Sequence, residues 1–110
     1  MSAQLPSLSD VDAVLHGLHE GGTLAYIRDG VTDVARRTLS GRPLAAALAR
    51  LREVTGSPEF AQELALDVLA RTGPLDRTDA ETLTAAIRAA GSATVYQLGE
   101  ELLAAVVGGA

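Results

Sequence analysis

Apolar residues near the start of the chain recur at Val11, Val14, Leu15 and Leu18, the i, i+3, i+4, i+7 spacing of one helix face. Ser7, Ser9 and Asp10 stand before that face and Gly21-Gly22 after it, so the pattern predicts a first helix over residues 9–20. Thr23 can cap a second helix, with Leu24, Ile27, Val31 and Val34 on one face until Gly41. Gly30 lies inside it, where it costs ~1 kcal/mol against Ala and predicts a bend or a close helix crossing.

Pro43 suits the first turn of a third helix, which carries Leu44, Leu48, Leu51 and Val54 and stops at Gly56. Ser57-Pro58-Glu59 is a strong helix start, and Phe60, Leu64, Val68 and Leu69 run from it to the stop Gly73-Pro74. Thr78 and Glu81 have capping-box spacing before Leu83, Ile87 and Ala90, which predicts a fifth helix ending at Gly91. Ser92 then opens a sixth, where Val95, Leu98, Leu102, Leu103 and Val106 form a broad apolar stripe closed by Gly108-Gly109. No alternating strand pattern competes.

The expected fold is all-α, a compact bundle of five to six short helices, with a flexible tail over residues 1–8 and a single domain over 9–108. Its 110 residues suffice for one self-sufficient core. Ala and Leu dominate the 47% hydrophobic content, and Tyr26, Phe60 and Tyr96 are the aromatics. The absence of cysteine excludes disulfides, thiolate metal sites and thiol nucleophiles. No stretch approaches the roughly 20 apolar residues of a membrane span, and the start lacks a signal pattern, so a cytoplasmic protein is expected.

Charge changes the picture. All nine basic residues are Arg, a bias that a GC-rich genome explains without any task. Their distribution says more: residues 28–52 carry +4 and the rest of the chain −9. Arg36, Arg37, Arg42, Arg50 and Arg52 surround the turn between the second and third helices and form a candidate patch for an acidic surface. Glu59, Glu63 and Asp67 share a face of the fourth helix, where like charges at that spacing call for a compensating Arg from a neighbour or another copy. The net charge of −5 and pI of about 4.8 argue against nucleic acid, and so against a helix-turn-helix regulator.

Catalytic signals are weak. Asp12, His16, His19 and Glu20 gather on the first helix, making His16, His19 and Glu20 the only metal-ligand candidates, but no further His completes a site and a solvated face is the simpler reading. There is no glycine-bounded nucleophile elbow and no phosphate-cradling loop. No metal or cofactor is expected, and the reading leans away from an enzyme.

The segment Leu15 to Leu24, LHGLHEGGTL, resembles a phrase in a family of uncharacterised helical proteins encoded near formate dehydrogenase and related redox genes. Gly21 stands where that family usually has Ser. The resemblance covers ten residues and implies an accessory, non-catalytic helical protein with no catalytic residue to carry over.

These readings converge on a protein-interaction or oligomerisation module whose partner is a second copy or another protein. Surplus apolar positions, Leu66 on the fourth helix and Tyr96, Leu103 and Val107 on the sixth, are the expected interface together with the charged groups above. The alternative is a small-molecule binder or minor enzyme, which requires Tyr26 or Tyr96 to converge with His16 or His19 on a pocket between helices.

Overall fold

The computed structural model describes residues 7–108, with side chains through Val106. It is all-α: α1 (Leu8–Glu20), α2 (Thr23–Thr38), α3 (Gly41–Thr55), α4 (Pro58–Thr72) and α5 (Ala80–Gly108), with a short 3-10 turn at Leu75–Arg77. Leu8, expected in a flexible tail, opens α1, and the rest of that expected tail except Ser7 lies outside the described residues.

Most boundaries follow from local chemistry. The Ser7 hydroxyl accepts a hydrogen bond from the Asp10 amide at 3.1 Å, and Ser57 does the same for Phe60 at 3.2 Å, with Pro58 in the first turn. Gly22 adopts a left-handed conformation, φ 73°, which lets α1 turn into α2 within two residues. Thr23 is therefore the first residue of α2 rather than its cap, and it is buried. Pro43 sits in the first turn of α3 but behind Gly41, which begins the helix at φ 63°.

Two expectations fail in the last third of the chain. Asp79, not Thr78, caps α5: its carboxylate accepts from the Thr82 amide at 2.7 Å. The Thr78 hydroxyl instead donates to the carbonyls of Thr72 and Pro74 at 3.3 and 2.8 Å, tying down the link from α4. The expected fifth and sixth helices are one continuous helix of 29 residues. Gly91 does not stop it, because Ser92 and Ala93 can continue a helix, and Gly91 itself is buried against α2. A Cβ at Gly91 would lie 3.4 Å from Thr23 Cγ2 and 3.8 Å from the Tyr26 ring.

The approach is tighter at Gly30, where a Cβ would lie 3.1 Å from Val95 Cγ1, and looser at Gly99, where it would lie 3.8 Å from Val34 Cγ1. Contacts from Thr23 to Gly91, Gly30 to Val95 and Val34 to Gly99 advance together along both chains, so α2 runs parallel to the second half of α5. The close crossing expected at Gly30 is thus present. α5 also packs on α3 and α4, and α1 packs on α4. The core gathers Val14 and Leu18 from α1, Ile27 and Val31 from α2, Leu51 from α3, Leu64, Val68 and Leu69 from α4, and Leu98 and Leu102 from α5. No helix among the described residues is long and apolar enough to cross a membrane.

Candidate functional site: two grooves along the long helix

The packing of α5 leaves a groove on each of two sides. The first lies between α4 and α5, with a volume of about 320 Å³. Its floor is Val54, Phe60, Leu64 and Leu98, and its edges carry Glu63, Asp67 and Glu101. Four-residue spacing on α4 places Glu63 and Asp67 on one edge, and α5 supplies Glu101. Asp67 is compensated within its own helix by Arg71, whose Nε is 3.4 Å away. Glu63 and Glu101 have no ion pair among the described residues. Glu59 shares the α4 face but sits in its first turn, where its charge offsets the helix dipole, and it does not line the groove.

The second groove, of about 360 Å³, lies between the Gly21-Gly22 turn and the middle of α5. Thr23 and Tyr26 line one side, and Ile87, Arg88, Gly91 and Ser92 the other. The sequence pattern misses this groove because Arg88 and Ser92 share a face only if the helix continues through Gly91. Their four-residue spacing was the available signal.

The arginines do not form a single patch around the α2–α3 turn. Arg36 and Arg37 occupy the last turn of α2 and Arg42 the first turn of α3, but Arg50 and Arg52 lie about 12 and 15 Å farther along α3. Arg37 pairs with Asp33 at 2.8 Å and Arg50 with Glu53 at 3.5 Å, both exposed pairs of small energetic value. Arg36, Arg42 and Arg52 are exposed and form no ion pair among the described residues.

His16, His19 and Glu20 are all exposed on α1, and among the described residues no group of His, Asp and Glu could hold a metal ion. Neither histidine lines either of these two grooves, so neither groove brings a tyrosine together with a histidine. Tyr96 is 70% exposed. Glu100 pushes its phenol above the ordinary range, first by accepting its hydrogen bond and then by its negative charge. On the same helix Leu98 and Leu102 are buried and Leu103 is partly buried, while the Val107 side chain lies outside the described residues. Leu66 is 44% exposed on α4.

No family model, curated protein or solved structure matches the chain.

Proposed function

We propose that this chain is a non-catalytic interaction module that associates with copies of itself, the α4–α5 groove of one copy receiving the outer face of α3 from the next. The observation that carries the reading is the acid-edged apolar groove, in which Glu63 and Glu101 stand unpaired above Phe60, Leu64 and Leu98. Carboxylates beside an apolar floor suit a cation-bearing helix that is thin enough to enter. α3 has that character: Arg42, Ala45, Ala46 and Ala49 are exposed, and at 100° per residue Arg50 and Arg52 flank the alanines on opposite sides. Alanine lets helix backbones approach closely, and the arginine forks can reach carboxylates on both edges.

The two surfaces are different, and in the head-to-tail arrangement each copy gives α3 to one neighbour and its groove to another, which propagates into a ring or an open chain. The resemblance at Leu15–Leu24 points the same way, toward an accessory role. Light scattering on a sizing column at low and high salt tests the proposal. The expected result is association that weakens as salt screens the arginine–carboxylate contacts. A strict monomer at low salt overturns it.

A further inference from the structure

The second groove offers a different chemistry. Gly22, at the capping position of α2, offers no side-chain cap, and the first turn of α2 holds no acid. The first amide to find a backbone acceptor across the turn is that of Tyr26, on the Gly22 carbonyl at 2.9 Å, so the amides of Thr23, Leu24 and Ala25 are free. Free amides at a helix start carry the positive end of the dipole, but water satisfies such groups equally well.

Thr23 supplies an independent observation. It is only 9% exposed, and its methyl group occupies the space beside Gly91. Among the described residues its hydroxyl makes no hydrogen bond to protein. Because no sealed side-chain oxygen among the described residues lacks a partner, that hydroxyl is not sealed, and Thr23 lines the groove. A threonine otherwise buried in the core thus presents its one polar atom, unpartnered, beside the free amides. Across the groove Arg88 and Ser92 stand one turn apart on α5, and Arg88 has no ion pair among the described residues. No carboxylate lines the groove, in a chain whose net charge is −5.

We propose that this groove binds a small organic phosphate monoester. The tetrahedral phosphate has enough oxygens to take the α2 amides, the Thr23 hydroxyl and the Arg88 guanidinium together, where a carboxylate has two. The volume of about 360 Å³ exceeds what phosphate alone fills and falls within the range of small-molecule sites, leaving the organic part against Tyr26 and Ile87. The site is separate from the α4–α5 groove and does not depend on self-association.

The test is amide chemical-shift titration of the isotope-labelled full chain with phenyl phosphate, with inorganic phosphate and benzoate run in parallel. Phenyl phosphate is expected to give saturable shifts at Thr23, Leu24, Ala25 and Ser92, with inorganic phosphate and benzoate binding more weakly. Arg88→Glu and Thr23→Val are each expected to weaken phenyl phosphate binding about tenfold or more, and Arg77→Glu, at an exposed residue outside both grooves, to leave it unchanged. If Thr23→Val unfolds the protein, the exposed Arg88→Glu variant decides alone. Absence of saturable shifts at those amides, or unaltered affinity in Arg88→Glu, overturns the proposal. Benzoate binding as tightly as phenyl phosphate overturns the phosphate assignment, and equal affinity for the two phosphates overturns the organic part.

Discussion

Two glycines of the α2–α5 crossing call for opposite outcomes on substitution by alanine. At Gly30 the new methyl would meet both γ-carbons of Val95, at 3.1 and 3.2 Å. Val95 is β-branched and held to one rotamer in a helix, so it cannot swing aside. Crowding of this kind costs about 1–3 kcal/mol, against ~1 kcal/mol gained in helix propensity, and Gly30→Ala is expected to destabilise by about 1 kcal/mol. Adding Val95→Ala should recover part of that loss. At Gly99 the new Cβ would sit 3.8 Å from Val34, an ordinary contact, so propensity prevails and Gly99→Ala is expected to stabilise by about 0.5–1 kcal/mol. Urea unfolding midpoints of the variants check both signs. Gly30 was legible in the sequence as a close crossing because a glycine inside a strong periodic pattern needs a reason. The role of Gly99 was not, since it depends on what faces it.

At the scale of elements, helix starts and stops were legible where the signal is local, as at Ser57-Pro58 and Gly73-Pro74, because caps and prolines act on their own backbone neighbours. The join at Gly91 was not, because Gly91-Ser92 has the local form of a stop and start, and the packing of Gly91 against Thr23 and Tyr26 leaves no mark in the sequence. A larger side chain there tests this: Gly91→Leu is expected to push the start of α2 off α5 and cost about 2 kcal/mol by overpacking, read from thermal unfolding. The cap of α5 failed for another reason. Thr78 and Glu81 satisfy the spacing rule, but so do Asp79 and Thr82, and an ionised carboxylate is the stronger acceptor. Its bond to the Thr82 amide is the largest cause holding the Asp79 carboxyl below its usual value. The stabilisation from Asp79 is therefore present above the unfolded-state Asp pKa near 3.9 and is lost as pH falls through the lower folded value. Asp79→Asn is expected to keep the cap while flattening this part of the acid dependence of the melting temperature, and Asp79→Ala to lower the melting temperature at neutral pH.

At the scale of the whole molecule the shape makes a surplus of surface. The extents are 48 × 28 × 18 Å, and α5 at about 43 Å runs nearly the full length. An 18 Å thickness holds about two layers of helix, so each helix of the slab turns one face to solvent. The acid-edged groove was half legible: Glu63 and Asp67 follow from spacing on α4, but Glu101 joins them only through the placement of α5. Its proposed complement on α3 makes a strong prediction about mixtures. Arg50→Gln/Arg52→Gln removes the cationic face but keeps the groove, and Glu63→Arg/Glu101→Arg spoils the groove but keeps the cationic face. Each variant alone is expected to be monomeric at low salt. Mixed, the intact groove of the first can receive the intact α3 of the second, and each partner's other surface is dead, so assembly must halt at a one-to-one heterodimer. A reciprocal two-fold contact would also give a one-to-one mixture, but it would stop the native chain at a dimer, whereas the head-to-tail contact carries the native chain further. Light scattering of the native chain and of the equimolar mixture therefore separates the cases: native species beyond a dimer together with a heterodimer from the mixture support the head-to-tail contact, and two unmixed monomers rule it out.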